Sequence, residues 1–529
     1  MPFKLPDTMP SLNLSIPAER SSTSSIELNE SLLRHWLDKL PKNNLPQLLE
    51  IYHDALQRFN GNQVPLKDRL LLLDMYRGPL NQLLFTLTPA ELRRQIRDSQ
   101  QRRHIIDALG ELMNQLAIGY KIVIVEAGQV KANLDRNPLG HMAIYRACEQ
   151  LSYLALHNYK FYRSMPAKLF RECHQLYLLC DIADVANKPP FVTSQYQATD
   201  SLAQRYAQIM LLSISNPYGL YSGDVLTVYK LLRGLAAYTE IAPLPDDGKP
   251  VAGQFYINCL SDRTPLPSIL PSMDDDQRPP TLMLNTKPVL MAVDNLFQQT
   301  AQDHGLTGQQ LSLIRQLAPF LNTSYQRKQQ RVEFKGSKQA YFAVGLPAVH
   351  QALLQREQLS ETHITGISGP WEILNKNDFG YLLSCYQADA SHDLQVGDFV
   401  GIVETADAEH KALSRLAMIR WLRSDDQDLC KVGVALLEGE PLAIQYAVDG
   451  NTDLLQPGLL IPELPRLHQA ATLVTARGVF RHGRSLTIKT TKKRFSFNII
   501  ADSLLTQNAD FERFSFKDAP LASTENIAA

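Results

Sequence analysis

Two short stretches concentrate side chains able to grip an anion. In NTSYQRKQQRVEFKG (322–336), Arg327 and Arg331 stand four positions apart; about 45 residues later, NKNDFG places Asn375, Asn377 and Gly380 at a turn. A guanidinium presents a rigid fork of donors that matches a phosphate, and its plane can stack on a ring. Each asparagine adds an acceptor and two donors, and a glycine lets backbone and ligand approach closely. An arginine pair at this spacing arises roughly once by chance in a chain this long. Its meaning rests on the turn that follows and on the elements that hold the two together.

Other chemistry is sparse. The sequence has no GxGxxG, Walker loop, GxSxG or HExxH, and its 13 histidines do not cluster. No catalytic residue, metal or cofactor is therefore expected, and the protein reads as no enzyme. Six cysteines (Cys148, Cys173, Cys180, Cys259, Cys385, Cys430) show neither CxxC nor zinc spacing, which suits a reducing compartment. Cys173 and Cys180 lie seven apart on an apolar stripe beside His174 and read as buried free thiols. Asp274, Asp275 and Asp276, next to RPP, read as a solvated loop. The basic run Arg477, Arg481, Arg484, Lys489, Lys492, Lys493 and Arg494 falls on alternating strands. It reads as a solvated sheet face, and nucleic-acid binding is the weaker interpretation.

The 529 residues are 44% hydrophobic and 20% charged, with a formal net charge of −1, so any attraction for anions must be local. That length predicts two to four domains. No stretch is read as approaching the roughly 18 apolar residues of a membrane span, and no signal-peptide core is apparent. A cytoplasmic protein without membrane insertion is expected.

The expected fold is multidomain α + β. Residues 1–25, rich in Ser and Pro, and 521–529 read as disordered tails. Residues 26–240 read as an all-helical domain, a bundle or tetratricopeptide-like array. Apolar residues recur there at three- and four-residue spacing, as in LPQLLEIYHDALQRF and TPAELRRQIRDSQQRRHIIDALGELMNQLAIGY. Residues 241–321 form a Pro/Asp-rich connecting region with short β pieces at GQFYINCL and PTLMLNT and a helix at GQQLSLIRQLAPFL. From 322 to 445, six short β-rich runs (KQAYFAVGL, GPWEILN, GYLLSCY, GDFVGIVE, RLAMIRWLR, KVGVALL) predict a small antiparallel barrel. Residues 446–520 alternate apolar and polar as a small β extension.

The ordered combination of an RxxxR segment ahead of a barrel and an NxNxxG turn within it resembles the PilZ domain, the bacterial receptor module for cyclic di-GMP. The resemblance covers about residues 322–440. It implies a cytosolic receptor that binds cyclic di-GMP through Arg327, Arg331, Asn375, Asn377 and Gly380. Such a receptor signals by domain rearrangement or partner contacts, with a protein partner at the helical domain. The family's turn motif carries serine where this chain has Asn377, a larger group that keeps an acceptor and adds donors. GGDEF and EAL, the motifs of the enzymes that make and cleave the dinucleotide, are absent. The alternative is a degenerate PilZ-fold scaffold that binds protein partners without nucleotide.

Overall fold

The computed structural model describes residues 14–17, 29–127, 134, 137–193, 196–244, 251–267, 281–298, 305–322, 332–333, 339–356, 367–386, 394–404, 413–425, 427, 429–449, 454–463, 465, 469–490, 495–507 and 511–519. It divides into two compact units, Met1–Arg327 and Lys328–Ala529.

Among the described residues, the first unit opens with nine α-helices: α1 (Glu30–Asp38), α2 (Leu45–Asn60), α3 (Leu66–Thr86), α4 (Pro89–Gln95), α5 (Ser99–Glu126), α6 (Pro138–Lys160), α7 (Leu169–Ile182), α8 (Leu202–Ile214) and α9 (Ser222–Leu235). A two-stranded ribbon, β1 (Phe191–Thr193) and β2 (Tyr196–Gln197), lies between α7 and α8. Side-chain caps start several helices; Ser201 forms a full capping box with Gln204 at α8. The stretch expected as one helix through TPAELRRQIRDSQQRR is two. Ile96 is extended at the end of α4, and Asp98 accepts from the backbone N–H groups of Gln100 and Gln101 to start α5.

Helix α6 is buried from Gly140 to Lys160, although it carries Arg146 and Glu149. Their charges are neutralised by each other within α6 and by Asp74, Arg77 and Arg205 of other helices. Arg146 Nη1 meets Glu149 Oε2 at 3.0 Å, Arg77 Nε of α3 meets Asp74 at 3.2 Å, and Arg205 Nη2 of α8 meets Asp200 at 3.0 Å. Glu149 also faces Arg77 at 3.3 Å and Arg205 at 3.5 Å. Burial of such groups is tolerable only when each is paired.

Helix α5 corrects one expectation: by length and composition it is apolar enough to cross a membrane. It packs against α2, α3 and α6 and buries Leu109, Leu112, Met113 and Leu116. Its polar groups are satisfied locally: Tyr120 donates to Asp74 at 2.5 Å, and Lys121 pairs with Glu172 at 2.6 Å.

The unit closes with a three-stranded antiparallel sheet, in the order β3 (Glu240–Pro243), β5 (Thr281–Asn285), β4 (Gln254–Asn258), and two helices, α10 (Lys287–Gln298) and α11 (Gly308–Leu321). The β pieces at GQFYINCL and PTLMLNT and the helix at GQQLSLIRQLAPFL are observed; α10 was not anticipated. All six cysteines are buried and none forms a disulfide, Cys173 and Cys180 among them. Asp274, Asp275 and Asp276 lie outside the described residues.

The second unit holds two barrels. The first contains β6 (Val332–Glu333), β7 (Gln339–Val344), β8 (Ile367–Asn377), β9 (Gly380–Tyr386), β10 (Phe399–Glu404), β11 (Leu413–Ser424) and β12 (Leu429–Leu437). Its strand order is β8-β7-β10-β11-β12-β9, and β9 pairs back to β8, so the sheet closes; β6 adds a short pairing on β8. Trp371 and Phe342 stack inside at 5.0 Å, with Ile373, Leu383 and Val432 also buried. The expected β extension is itself a closed antiparallel barrel. It is formed by β13 (Leu442–Val448), β14 (Gln456–Ile461), β15 (Thr472–Ala476), β18 (Phe511–Asp518), β17 (Ser496–Gln507) and β16 (Ser485–Thr490), in that order. An unanticipated helix, α12 (Gly345–Arg356), shares one hydrophobic cluster with both barrels through Val349, Leu353, Met418, Leu459 and Phe511.

Candidate functional site

The β8–β9 hairpin carries the asparagine motif. Asn377 and Gly380 are Cα partners, and only Asp378 and Phe379 separate them. The side-chain oxygen of Asn377 accepts from the backbone N–H of Phe379 at 3.0 Å and of Gly380 at 2.9 Å. Asparagine thus nucleates the turn through its own side chain. The hairpin tip is tied to β12, because Leu436 N–H donates to the Phe379 carbonyl at 2.8 Å. A Cβ at position 380 would sit 2.3 Å from the carbonyl oxygen of Val434 in β12. Glycine is required there by the neighbouring strand.

Asn375 and Asn377 lie two apart on β8 and so share a face. A bulge between Ile373 and Asn375 sets that face outward. Ile373 and Leu383 pair inside the barrel, whereas Asn375 pairs with half-buried Leu382. Lys376, between the asparagines, holds its ammonium 5.3 Å from the Tyr381 ring centre, a cation–π contact that motif spacing did not reveal.

Arg327 and Arg331 lie outside the described residues. The strand that begins with the residue after Arg331 is described. Val332 pairs with Lys376 and Glu333 with Asn375, so the chain leaving the arginine segment runs along the motif-bearing end of β8.

Among the described residues, no group of three or more His, Cys, Asp or Glu side chains is placed to hold a metal. In the basic run, Arg477 and Arg481 are exposed, and Arg484 donates to the Val479 carbonyl at 2.7 Å; Lys492, Lys493 and Arg494 lie outside the described residues.

Comparison with known proteins follows the same architecture. Residues 30–246 match the family model described as cyclic-di-GMP receptor FimW, N-terminal domain. Residues 443–519 match the FimW C-terminal beta-barrel domain. At both ends, this chain is similar to FimW. A Pseudomonas aeruginosa protein described as cyclic-di-GMP receptor FimW is 21% identical over 560 aligned positions, covering 90% of this chain and 89% of its own. The first FimW model spans α1 to β3, and the second coincides with the C-terminal closed barrel. The barrel bearing Asn375, Asn377 and Gly380 lies between the two matched FimW regions and within neither. No solved structure matches the chain.

Proposed function

We infer that the protein is a receptor for cyclic di-GMP and that the dinucleotide binds on the outer face of the first barrel, beside the β8–β9 turn. The observation that carries this reading is the pairing of Val332 and Glu333 with Lys376 and Asn375. Arg331 is bonded to Val332, and Arg327 precedes it by four residues, so the tether keeps both within reach of the asparagines. The name of the FimW relative and the description of the N-terminal family model support the ligand. The order of RxxxR segment, barrel and NxNxxG turn supports a PilZ-like identity for this barrel.

In this reading Arg327 and Arg331 hold the phosphates or a guanine O6/N7 edge in bidentate fashion. Asn375 and Asn377 supply amide groups from the barrel side, and Gly380 keeps the turn low enough for a ligand to lie across it. The protein performs no chemistry of its own, works in the cytoplasm, and passes its signal to a protein partner through the helical domain. Arg327 and Arg331 sit where the two units join in sequence, so ligand capture constrains that connector.

A second reading, a PilZ-fold scaffold without nucleotide, is favoured by one observation. The Asn377 oxygen is already used by the turn and Gly380 by the approach of β12. Calorimetric titration with cyclic di-GMP separates the two. Hydrogen exchange then tests the site, with protection expected to rise over 320–335 and 375–380. Absence of binding heat at high protein concentration favours the scaffold.

A further inference from the structure

Residues 14–17 hold a place in the helical unit without belonging to any helix or strand. Leu14 is buried and joins the hydrophobic cluster of that unit, while Ser15, Ile16 and Pro17 are half-buried. A proline at 17 biases Ile16 toward extended backbone. Among the described residues, the one hydrogen bond this segment makes runs from the Ser15 N–H to Glu172 Oε1, at 2.8 Å. The other oxygen of that carboxylate, Oε2, meets Lys121 Nζ at 2.6 Å, and both side chains are buried. Glu172 stands in the first turn of α7, yet it is not what caps that helix: Asp262 accepts from the N–H groups of Lys168, Phe170 and Arg171. The Glu172 carboxylate is thus divided between a lysine of α5 and a backbone N–H of an incoming chain. A buried carboxylate oxygen left without a donor is costly, so the site calls for a peptide N–H, and any extended backbone can supply one.

We propose that the site formed by Lys121 of α5 and Glu172 of α7 docks an extended segment of a protein partner, and that this chain's own residues 14–17 occupy it in the partner's absence. The segment it fits carries a leucine followed directly by a residue with a free backbone N–H, with no charge on either. This gives a place and a chemistry to the protein partner of the functional reading above and rests on that part of it, independently of the nucleotide. The contacts of residues 14–17 suit exchange. One buried leucine and one hydrogen bond are set against the entropy of ordering four residues, and the two nearly balance. Residues 14–17 also precede the matched FimW N-terminal region, which begins at residue 30. A tail packed permanently into the core would leave no room for a second peptide.

The test uses the full chain and a fluorescent peptide with the sequence of residues 10–19, PSLNLSIPAE, followed by anisotropy. Leu14→Asp in the protein should vacate the site and bind the peptide. The parent should bind it roughly three- to thirtyfold more weakly, the factor that its own closed segment imposes. N-methylation of the peptide at the Ser15 nitrogen removes the N–H for Glu172 and leaves the protein untouched; it should weaken binding roughly ten- to a hundredfold. In the parent, saturating unlabelled peptide should speed hydrogen exchange at the chain's own Ser15 amide. The proposal is overturned if Leu14→Asp retains its helical circular dichroism and takes no peptide, or if the N-methylated peptide binds as well as the unmodified one. Equal affinity of parent and variant overturns it too. Should Leu14→Asp fail to fold, exchange at Ser15 decides: a rate unchanged by saturating peptide overturns the proposal. A chain that takes the peptide but gives no heat with cyclic di-GMP supports the docking site and overturns the receptor reading alone.

Discussion

The carboxamide oxygen of Asn377 receives the N–H of Gly380 at 2.9 Å, closing the β8–β9 hairpin with a side chain rather than with backbone alone. The same residue that the ligand reading requires is thus a structural cap, and the two roles can be separated by substitution.

Asn377→Ser keeps a short acceptor, so the turn and cyclic di-GMP affinity should both persist. Asn377→Leu removes the acceptor for two N–H groups and should cost about 1–2 kcal/mol in urea denaturation, with a larger loss of binding. Equal affinity of all three proteins would place the ligand elsewhere.

Gly380→Ala tests the approach of β12. A methyl 2.3 Å from the Val434 carbonyl oxygen forces strand backbone to move, at a cost of about 1–3 kcal/mol. An unchanged denaturation midpoint would mean that β12 yields freely at this point.

Arg327→Ala and Arg331→Ala should each remove a charge-assisted contact worth about 1.5–3 kcal/mol, weakening calorimetric affinity tenfold or more. Unchanged affinity in both variants would remove the arginine segment from the site.

Glu149 serves Arg77, Arg146 and Arg205 inside the helical unit. Glu149→Ala leaves buried guanidinium charge uncompensated and should destabilise that unit by about 3–5 kcal/mol. Circular dichroism at 222 nm, a wavelength set by helix absorption, follows the shift. A change below about 1 kcal/mol would show that Asp74 and Asp200 carry the pairing without it.

Acid should weaken the helical unit. Burial lowers His157 to about 3 and His174 to about 4, while the unfolded chain titrates near the usual value of 6.5. Between those values the unfolded state binds more protons, so the stability conferred by neutral histidine is present above about pH 6.5 and drains as pH falls below it. At pH 5 the loss is of order 2 kcal/mol for each histidine. Unfolding midpoints measured from pH 7 to 5 check the slope, which His174→Gln should reduce.

Local pattern made most of the fold readable. The six strands of the first barrel each showed their own apolar run and punctuation. Strand β14 escaped because Pro457 and Gly458 look like turn residues. In the sheet, Gly458 makes room for the Tyr446 ring, whose Cδ1 would be 2.8 Å from an added Cβ. Helix α12 was hidden by Gly345 and Pro347, yet a proline in the first turn suits a helix start. The NxNxxG turn was visible as spacing. The reason for Gly380 is Val434, 54 positions away, and the seat of Trp421 is Gly433, 12 away across a strand pair. Such reasons belong to register, which no local window contains.

Helix α12 has a thermodynamic consequence for ligand sensing. Val349 and Leu353 sit in one cluster with Met418 of the first barrel and Leu459 and Phe511 of the second, and His350 Nε2 contacts the Ile444 carbonyl at 3.0 Å. Neither barrel can melt without stripping that shared cluster from the other. Free energy gained by mass action at one barrel is therefore distributed over both, so a ligand held at the β8–β9 turn, as proposed above, would raise the cost of opening strands as distant in sequence as Phe511.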